Sequence, residues 1–232
     1  MPESTVNREY KDRLFKFIFG RKERKDWTLS LYNAVNNSSY TDPQDIEITT
    51  VENAIYLSMK NDISFLIADT MNFYEHQSTF NPNMPLRMFM YASMVYSGYA
   101  REAESSIYSS TLMKLPTPKL VTFYNGERKE PDRIILKLSD SFSRGRDDSD
   151  IEITVLMLNI NYGCNMDLLE HCRPLYDYSF FTSAVRKLKR KGCSMEAAVH
   201  NAIRQLGEDS QIKAFMLAQE ETVTQLCITE YD

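Results

Sequence analysis

Residues 59–79, MKNDISFLIADTMNFYEHQST, decide how the rest of the chain is read. DISFLIA (62–68) is apolar and rich in strand formers, and MNFYEHQS (71–78) follows almost at once. The two predict neighbouring strands joined across Asp69 and Thr70. Asp62 then heads one strand and Glu75 lies near the end of the next. If the strands pair antiparallel, both carboxylates arrive at the same end of a sheet. Close carboxylates repel, and one tends to keep a proton unless a cation sits between them. Mg²⁺ is the natural candidate, a hard ion that takes oxygen ligands and keeps several waters. Gln77 lies two residues beyond Glu75, so on a strand both side chains project from one face. From there Gln77 could orient a water or contact a phosphate, while His76 points the other way, into packing. Acids at strand ends are commonly solvated or cap a helix, so the spacing alone does not establish a metal site.

Upstream, Tyr10–Phe19 carries Leu14, Phe15, Ile18 and Phe19 at helical spacing. Asp26–Val35 reads as a second helix, ended by the turn-forming NNSSYTDPQD (36–45). IEITTV (46–51) alternates like a strand, and AIYLS (54–58) reads as another short extended piece. Downstream, NPNMP (81–85) closes the sheet and opens a long helix, with Pro85 suited to its first turn. Leu86, Phe89, Met90, Ser93, Met94 and Ser97 are expected on its inner face. KLVTFY (119–124), IILKLS (134–139) and ITVLMLNINY (153–162) predict further strands, the last apolar enough to be buried on both faces. SRGRDDSDIE (143–152) is a charged loop and the internal stretch most prone to disorder. Past Pro174 the pattern turns helical, with helices expected over Ser179–Lys191, Met195–Leu206 and Ile212–Leu226. The order predicts an α/β core over residues 1–174 and a helical C-terminal region over 175–232.

Composition narrows the classes. Of 232 residues 43% are hydrophobic and 25% charged, with 7 Gly and 8 Pro, which excludes low-complexity and generally disordered chains. Net charge is -5, so binding to nucleic acid requires local basic patches. Two exist: the run holding Lys11, Arg13, Lys16, Arg21, Lys22, Arg24 and Lys25, and RKLKRK (186–191). A charge run is often only a solvated helix face. The four cysteines have no CxxC-type spacing and no ligand-spaced histidine pair, which argues against structural zinc. The N-terminus is polar, and no stretch reaches the roughly 18 apolar residues of a membrane span. A reduced, soluble, cytoplasmic protein without a membrane partner is expected.

Four stretches carry a resemblance: DRLFKFIFG (12–20), KNDISFLI (60–67), YEHQST (74–79) and NPNMPLRMFMYAS (81–93). In this combination the chain resembles the recombination-promoting nuclease (Rpn) family of the PD-(D/E)XK nuclease superfamily. KLVTFYNG (119–126) and DIEITVLMLNINYG (150–163) resemble its later core strands, and ITEYD (228–232) an ending found among relatives. The resemblance implies a restriction-endonuclease-like core with a mixed central sheet flanked by helices. It implies that Asp62 is the central metal-binding aspartate and Glu75 the second ligand to Mg²⁺ (or Mn²⁺). Gln77 stands where many superfamily enzymes have lysine, in the Glu-x-Gln form of this branch. Glutamine hydrogen-bonds but brings no charge, which leaves Lys60 and Arg87 to neutralise charge developing on a phosphate. Lys16 of the first basic run is a further substrate-binding candidate. The superfamily often adds an acid from its first helix, for which Asp12 is the choice and Glu52 the rival.

The activity so implied is Mg²⁺-dependent DNA endonuclease action, hydrolysing phosphodiester bonds with one or two ions and no covalent enzyme intermediate. Recombination, mobile elements or phage defence would be its setting. The transposase label that the family also carries does not imply the three-acid RNase H-like core. Resemblance also suggests a homodimer through the C-terminal helices, with packing of those helices on the chain's own core as the alternative. The competing functional class is a catalytically inactive nuclease-fold module that binds nucleic acid or a partner protein.

Overall fold

A computed structural model describes residues 13–49, 62–102, 107–146 and 148–231. Helix α1 (Arg13–Phe19) is short and buries Leu14, Phe15, Ile18 and Phe19 on one side. It stops at Gly20, whose N–H returns to Lys16 O at 2.8 Å, and where a Cβ would lie only 2.8 Å from that same oxygen. Helix α2 (Lys25–Asn36) ends on Asn37 in the left-handed conformation, its N–H bonding Asn33 O. The Thr28 hydroxyl donates to Phe19 O at 2.6 Å and ties the two helices together.

Six strands follow: β1 (Glu47–Ile48), β2 (Ile63–Ile67), β3 (Thr70–Gln77), β4 (Thr117–Tyr124), β5 (Arg133–Lys137) and β6 (Thr154–Asn159). They form one mixed sheet in the order β1-β2-β3-β4-β6-β5. β2 is antiparallel to both its neighbours, β1 and β3, β4 is parallel to both β3 and β6, and β5 closes the edge antiparallel to β6. The predicted β2–β3 hairpin is present, but its turn falls on Ala68 and Asp69, one residue earlier than expected. Both have positive φ (45° and 58°), the requirement of a two-residue turn matched to strand twist. Of IEITTV only Glu47–Ile48 is strand among the described residues, and AIYLS lies outside them.

The parallel step from β3 to β4 needs a crossover, which helix α3 (Met84–Glu102) provides. Its buried stripe is Met84, Met88, Tyr91 and Val95, packed on Met71, Phe73, Tyr124, Leu136, Val155 and Met157. The expected inner face is thereby corrected: Leu86, Phe89, Ser93 and Ser97 face solvent. The sequence MPLRMFMYASMVY offers two apolar stripes, and the one chosen includes Arg87, which a reading by hydrophobicity passes over.

Helices α4 (Met166–His171), α5 (Arg173–Arg190), α6 (Met195–Gln205), α7 (Lys213–Ala218) and α8 (Glu220–Tyr231) complete the fold. The expected helix over Ile212–Leu226 is thus two, broken at Gln219, and α5 starts six residues before Ser179 at Arg173. Pro174 in its first turn explains the early start, since its missing N–H costs nothing there. Buried Asp177 accepts from Ser210 Oγ and from the Gln211 N–H, both at 2.9 Å, and pins the α6–α7 link to α5. Tyr178, Phe181, Val185, Val199, Ile203, Met216 and Val223 share one apolar cluster with α1, α2 and the sheet residues Phe65, Tyr74 and Phe123. The apolar faces offered either to a homodimer or to the chain's own core therefore lie against the core. The architecture is α/β in three layers: α3 on one face of the sheet, the remaining helices on the other.

The charged loop is tied to the fold at its last residue. Glu152 accepts from Ser139 Oγ at 2.6 Å and from the Ser139 N–H at 3.1 Å, bonds that hold its carboxyl below the usual range. Among the described residues no helix is long and apolar enough to cross a membrane.

Candidate active site at the open end of the β2–β3 hairpin

The β2–β3 register pairs Ile63 with Tyr74, which sets Asp62 opposite Glu75. The two acids are laced together through the backbone. The Asp62 N–H donates to Glu75 Oε2 at 3.1 Å, and the His76 N–H donates to Asp62 Oδ2 at 2.7 Å. Sequence reading expected this meeting of carboxylates, and the geometry brings them together. Glu75 is only 2% exposed, so its charge demands a partner. Arg87, from the first turn of α3, reaches down to the sheet and places Nη2 2.5 Å from Glu75 Oε1. The same nitrogen donates to Tyr91 OH at 3.1 Å. Burial, and after it the negative charge of Glu75, pushes the Tyr91 hydroxyl up to about 12.

Strand alternation sorts the neighbours. Glu75 and Gln77 face α3, whereas His76 faces α1 and α5. There the His76 ring stacks on Phe15 (centroids 5.2 Å apart), and Nε2 pairs with Tyr178 OH at 3.0 Å. Gln77 is buried, and its Nε2 donates to Met157 Sδ at 3.3 Å. Its Oε1 has no protein partner among the described residues. Thr122 of β4, opposite Glu75 in the parallel register, also carries a buried hydroxyl oxygen without a partner. Sequence reading missed both Thr122 and Tyr91. A lone Thr within the apolar KLVTFY was the available signal for the first.

Lys16 is half-buried on α1. At Gly20 a Cβ would lie 3.2 Å from Lys16 Cγ and 3.3 Å from Ile63 Cγ1, so the Lys16 stem runs beside the head of β2. Asp12, its rival Glu52, and Lys60 lie outside the described residues. The basic runs are partly engaged internally. Arg21 pairs with Glu23, and Arg24 pairs with Asp26 while its guanidinium sits 3.6 Å from the Trp27 ring centroid. Arg186, first of RKLKRK, turns inward to Asn125 O and to Asn161 Oδ1, closing the ends of β4 and β6. Arg190 pairs with Glu127. A cleft of about 490 Å³ towards the opposite end of the sheet, lined by Asn36, Lys119, Ile135, Glu152 and Leu156 among others, holds none of these residues.

Among the described residues no cluster of three His, Cys, Asp or Glu side chains converges. The donors at this strand end are nevertheless all oxygen: the Asp62 and Glu75 carboxylates, Gln77 Oε1 and Thr122 Oγ1. That set fits a hard divalent cation in kind. Two of the four are buried oxygens without a partner, a costly condition that coordination or water relieves. Comparison of the chain with protein-family models, with curated proteins and with solved structures finds no match in any of the three.

Proposed function

We propose that the chain is a Mg²⁺- or Mn²⁺-dependent DNA endonuclease of the Rpn type, built on a PD-(D/E)XK core. The observation that carries this reading is the convergence of Asp62 and Glu75 at one strand end, each carboxylate fixed by a backbone N–H of the neighbouring strand. Support also comes from the mixed sheet flanked by helices, and from the arginine on the crossover helix reaching Glu75.

Asp62 and Glu75 would hold the cation, whose chemistry when bound is to polarise the phosphate and acidify a water. The chain's own residues prepare that site. The His76 and Asp62 N–H groups fix the carboxylate rotamers. Gln77 would stand beside the attacking water on the Glu75 face. Water would then add its oxygen to phosphorus, losing a proton to solvent, as the bond to the leaving sugar oxygen breaks and that oxygen takes up a proton from water, so no residue need become covalently attached. Arg87, one-third exposed, would meet a phosphate oxygen, and Lys16 lies on the far side of the β2 head.

One observation favours a second reading. The Arg87 guanidinium already neutralises Glu75, as it would in a nuclease-shaped module that binds nucleic acid or a partner without cutting. Plasmid DNA incubated with purified protein and Mg²⁺, beside Asp62→Ala, separates the two. The enzyme reading expects nicking or linearisation by the wild type only, abolished by EDTA. Equal cleavage by both proteins, or none by either across a range of salt, supports the binding module.

A further inference from the structure

The oxygens on the α3 side of the sheet form a row that crosses strands. The register places Asp62 opposite Glu75, Glu75 beside Thr122, and Thr122 beside Met157. Gln77 starts on β3, yet its amide nitrogen lies 3.3 Å from the sulfur of Met157 on β6, two strands away. The two side chains therefore meet above β4, the strand that carries Thr122. Adjacent strands are about 4.8 Å apart, so Thr122 Oγ1 is within a side chain's reach of the Glu75 carboxylate. Thr122 is fully buried, Gln77 nearly so, and Thr122 Oγ1 and Gln77 Oε1 both lack a protein partner. Valine would fill the Thr122 site with the same shape and no desolvation cost. An apolar strand that nevertheless keeps a hydroxyl at this register position points to a use for the oxygen.

We propose that Thr122 is a neutral oxygen ligand, alongside Gln77 Oε1, of a divalent cation whose charge is balanced by Asp62 and Glu75. The inference rests on the metal-site reading above and adds a donor from a strand that the hairpin motif does not contain. It makes the site a three-strand structure, so cation binding clamps β4 to the β2–β3 hairpin on the α3 face. A hydroxyl and an amide oxygen are weak ligands singly. Held without competing partners, they lose little ordering entropy on binding and confer preference for hard ions over softer ones.

The test is calorimetric titration of the full chain with Mn²⁺ and Mg²⁺ alone, without nucleic acid, together with melting temperatures in EDTA and in each metal. Glu75→Gln is expected to abolish binding. Thr122→Val should weaken Mn²⁺ binding by about tenfold, while its melting temperature in EDTA stays equal or rises because a buried unpaired hydroxyl is gone. Thr122→Ser should keep affinity within about twofold, since the oxygen remains. If Thr122→Val binds metal as the wild type does while Glu75→Gln does not, Thr122 is no ligand and the acid-pair reading survives. A Thr122→Val protein that melts lower in EDTA with unchanged metal affinity assigns the hydroxyl a structural role and overturns the proposal. Absence of binding by the wild type at millimolar metal overturns this inference and the metal-dependent reading together.

Discussion

Adjacent residues on β3 lead opposite lives. His76 faces α1 and α5, where Phe15, Phe123 and Tyr178 surround it and its ring nitrogen has a hydroxyl partner. Glu75 faces α3, where an arginine holds its carboxylate, with an unpartnered oxygen on Thr122 of the next strand and another on Gln77 two residues along its own. One face is an aromatic core closed over a paired histidine, and the other, beneath a single helix, keeps a buried carboxylate paired with an arginine. Buried polar groups without partners are rare because each costs on the order of 1–3 kcal/mol. Gln77 Oε1 and Thr122 Oγ1, on the face of the acid pair, are two such groups among the described residues.

The largest effect expected from this contrast is on the closed face. Phe15 is fully buried and touches Phe19, His76, Phe123 and Tyr178. Phe15→Ala should destabilise the fold by about 3–5 kcal/mol in urea unfolding, with no recovery on adding Mg²⁺. A loss below about 1 kcal/mol would mean that this face is not the tightly packed core described. Arg87→Gln is the matching change on the polar face. Breaking a buried pair costs about 3–5 kcal/mol, but Arg87 is one-third exposed and solvent screens it, so roughly 2 kcal/mol is expected. Here Mg²⁺ should restore much of the loss, because a cation replaces the guanidinium on Glu75. Equal response of the Phe15 and Arg87 variants to Mg²⁺ would erase the distinction between the faces.

How much of this was legible in the sequence follows the range of each interaction. The β2–β3 hairpin was readable because two strand-forming runs lie side by side, and the meeting of Asp62 with Glu75 follows from antiparallel pairing alone. The turn position was off by one because nothing marks Ala68 as a residue with positive φ; glycine or asparagine would have. The rotation of α3 was misjudged because Arg87 sits on the buried stripe with Met84, Met88 and Tyr91, and a charged residue disqualifies a stripe when only hydrophobicity is counted. A partner on β3, Glu75, makes its place on that stripe tolerable. Thr122 was invisible for a similar reason. Its place beside Glu75 depends on a parallel register between strands separated by a 19-residue helix, which no local pattern encodes. In the C-terminal region, periodicity revealed helices but not the break at Gln219, and it could not tell whether their apolar faces met the chain's own sheet.

The smallest of the expected effects tests the electrostatics of the polar face by pH. Tyr91 is pushed up to about 12 from 10.0, first by burial and then by the Glu75 charge. A raised value means that the folded state keeps the proton while the unfolded chain releases it. The stabilising contribution is therefore complete below pH 10 and is lost as pH climbs toward about 12. Tyr91→Phe removes that loss, although it also forfeits the bond from Arg87 at every pH. The stability gap between wild type and variant should accordingly narrow by about 1 kcal/mol between pH 8.5 and 10.5 in urea unfolding. Phenylalanine has nothing to ionise, so the comparison cancels the other tyrosines common to both proteins, Tyr74 among them, which burial also raises. A gap that stays constant over this interval would mean that Tyr91 does not feel the buried charge of Glu75, and that the face beneath α3 is wetter than its geometry implies.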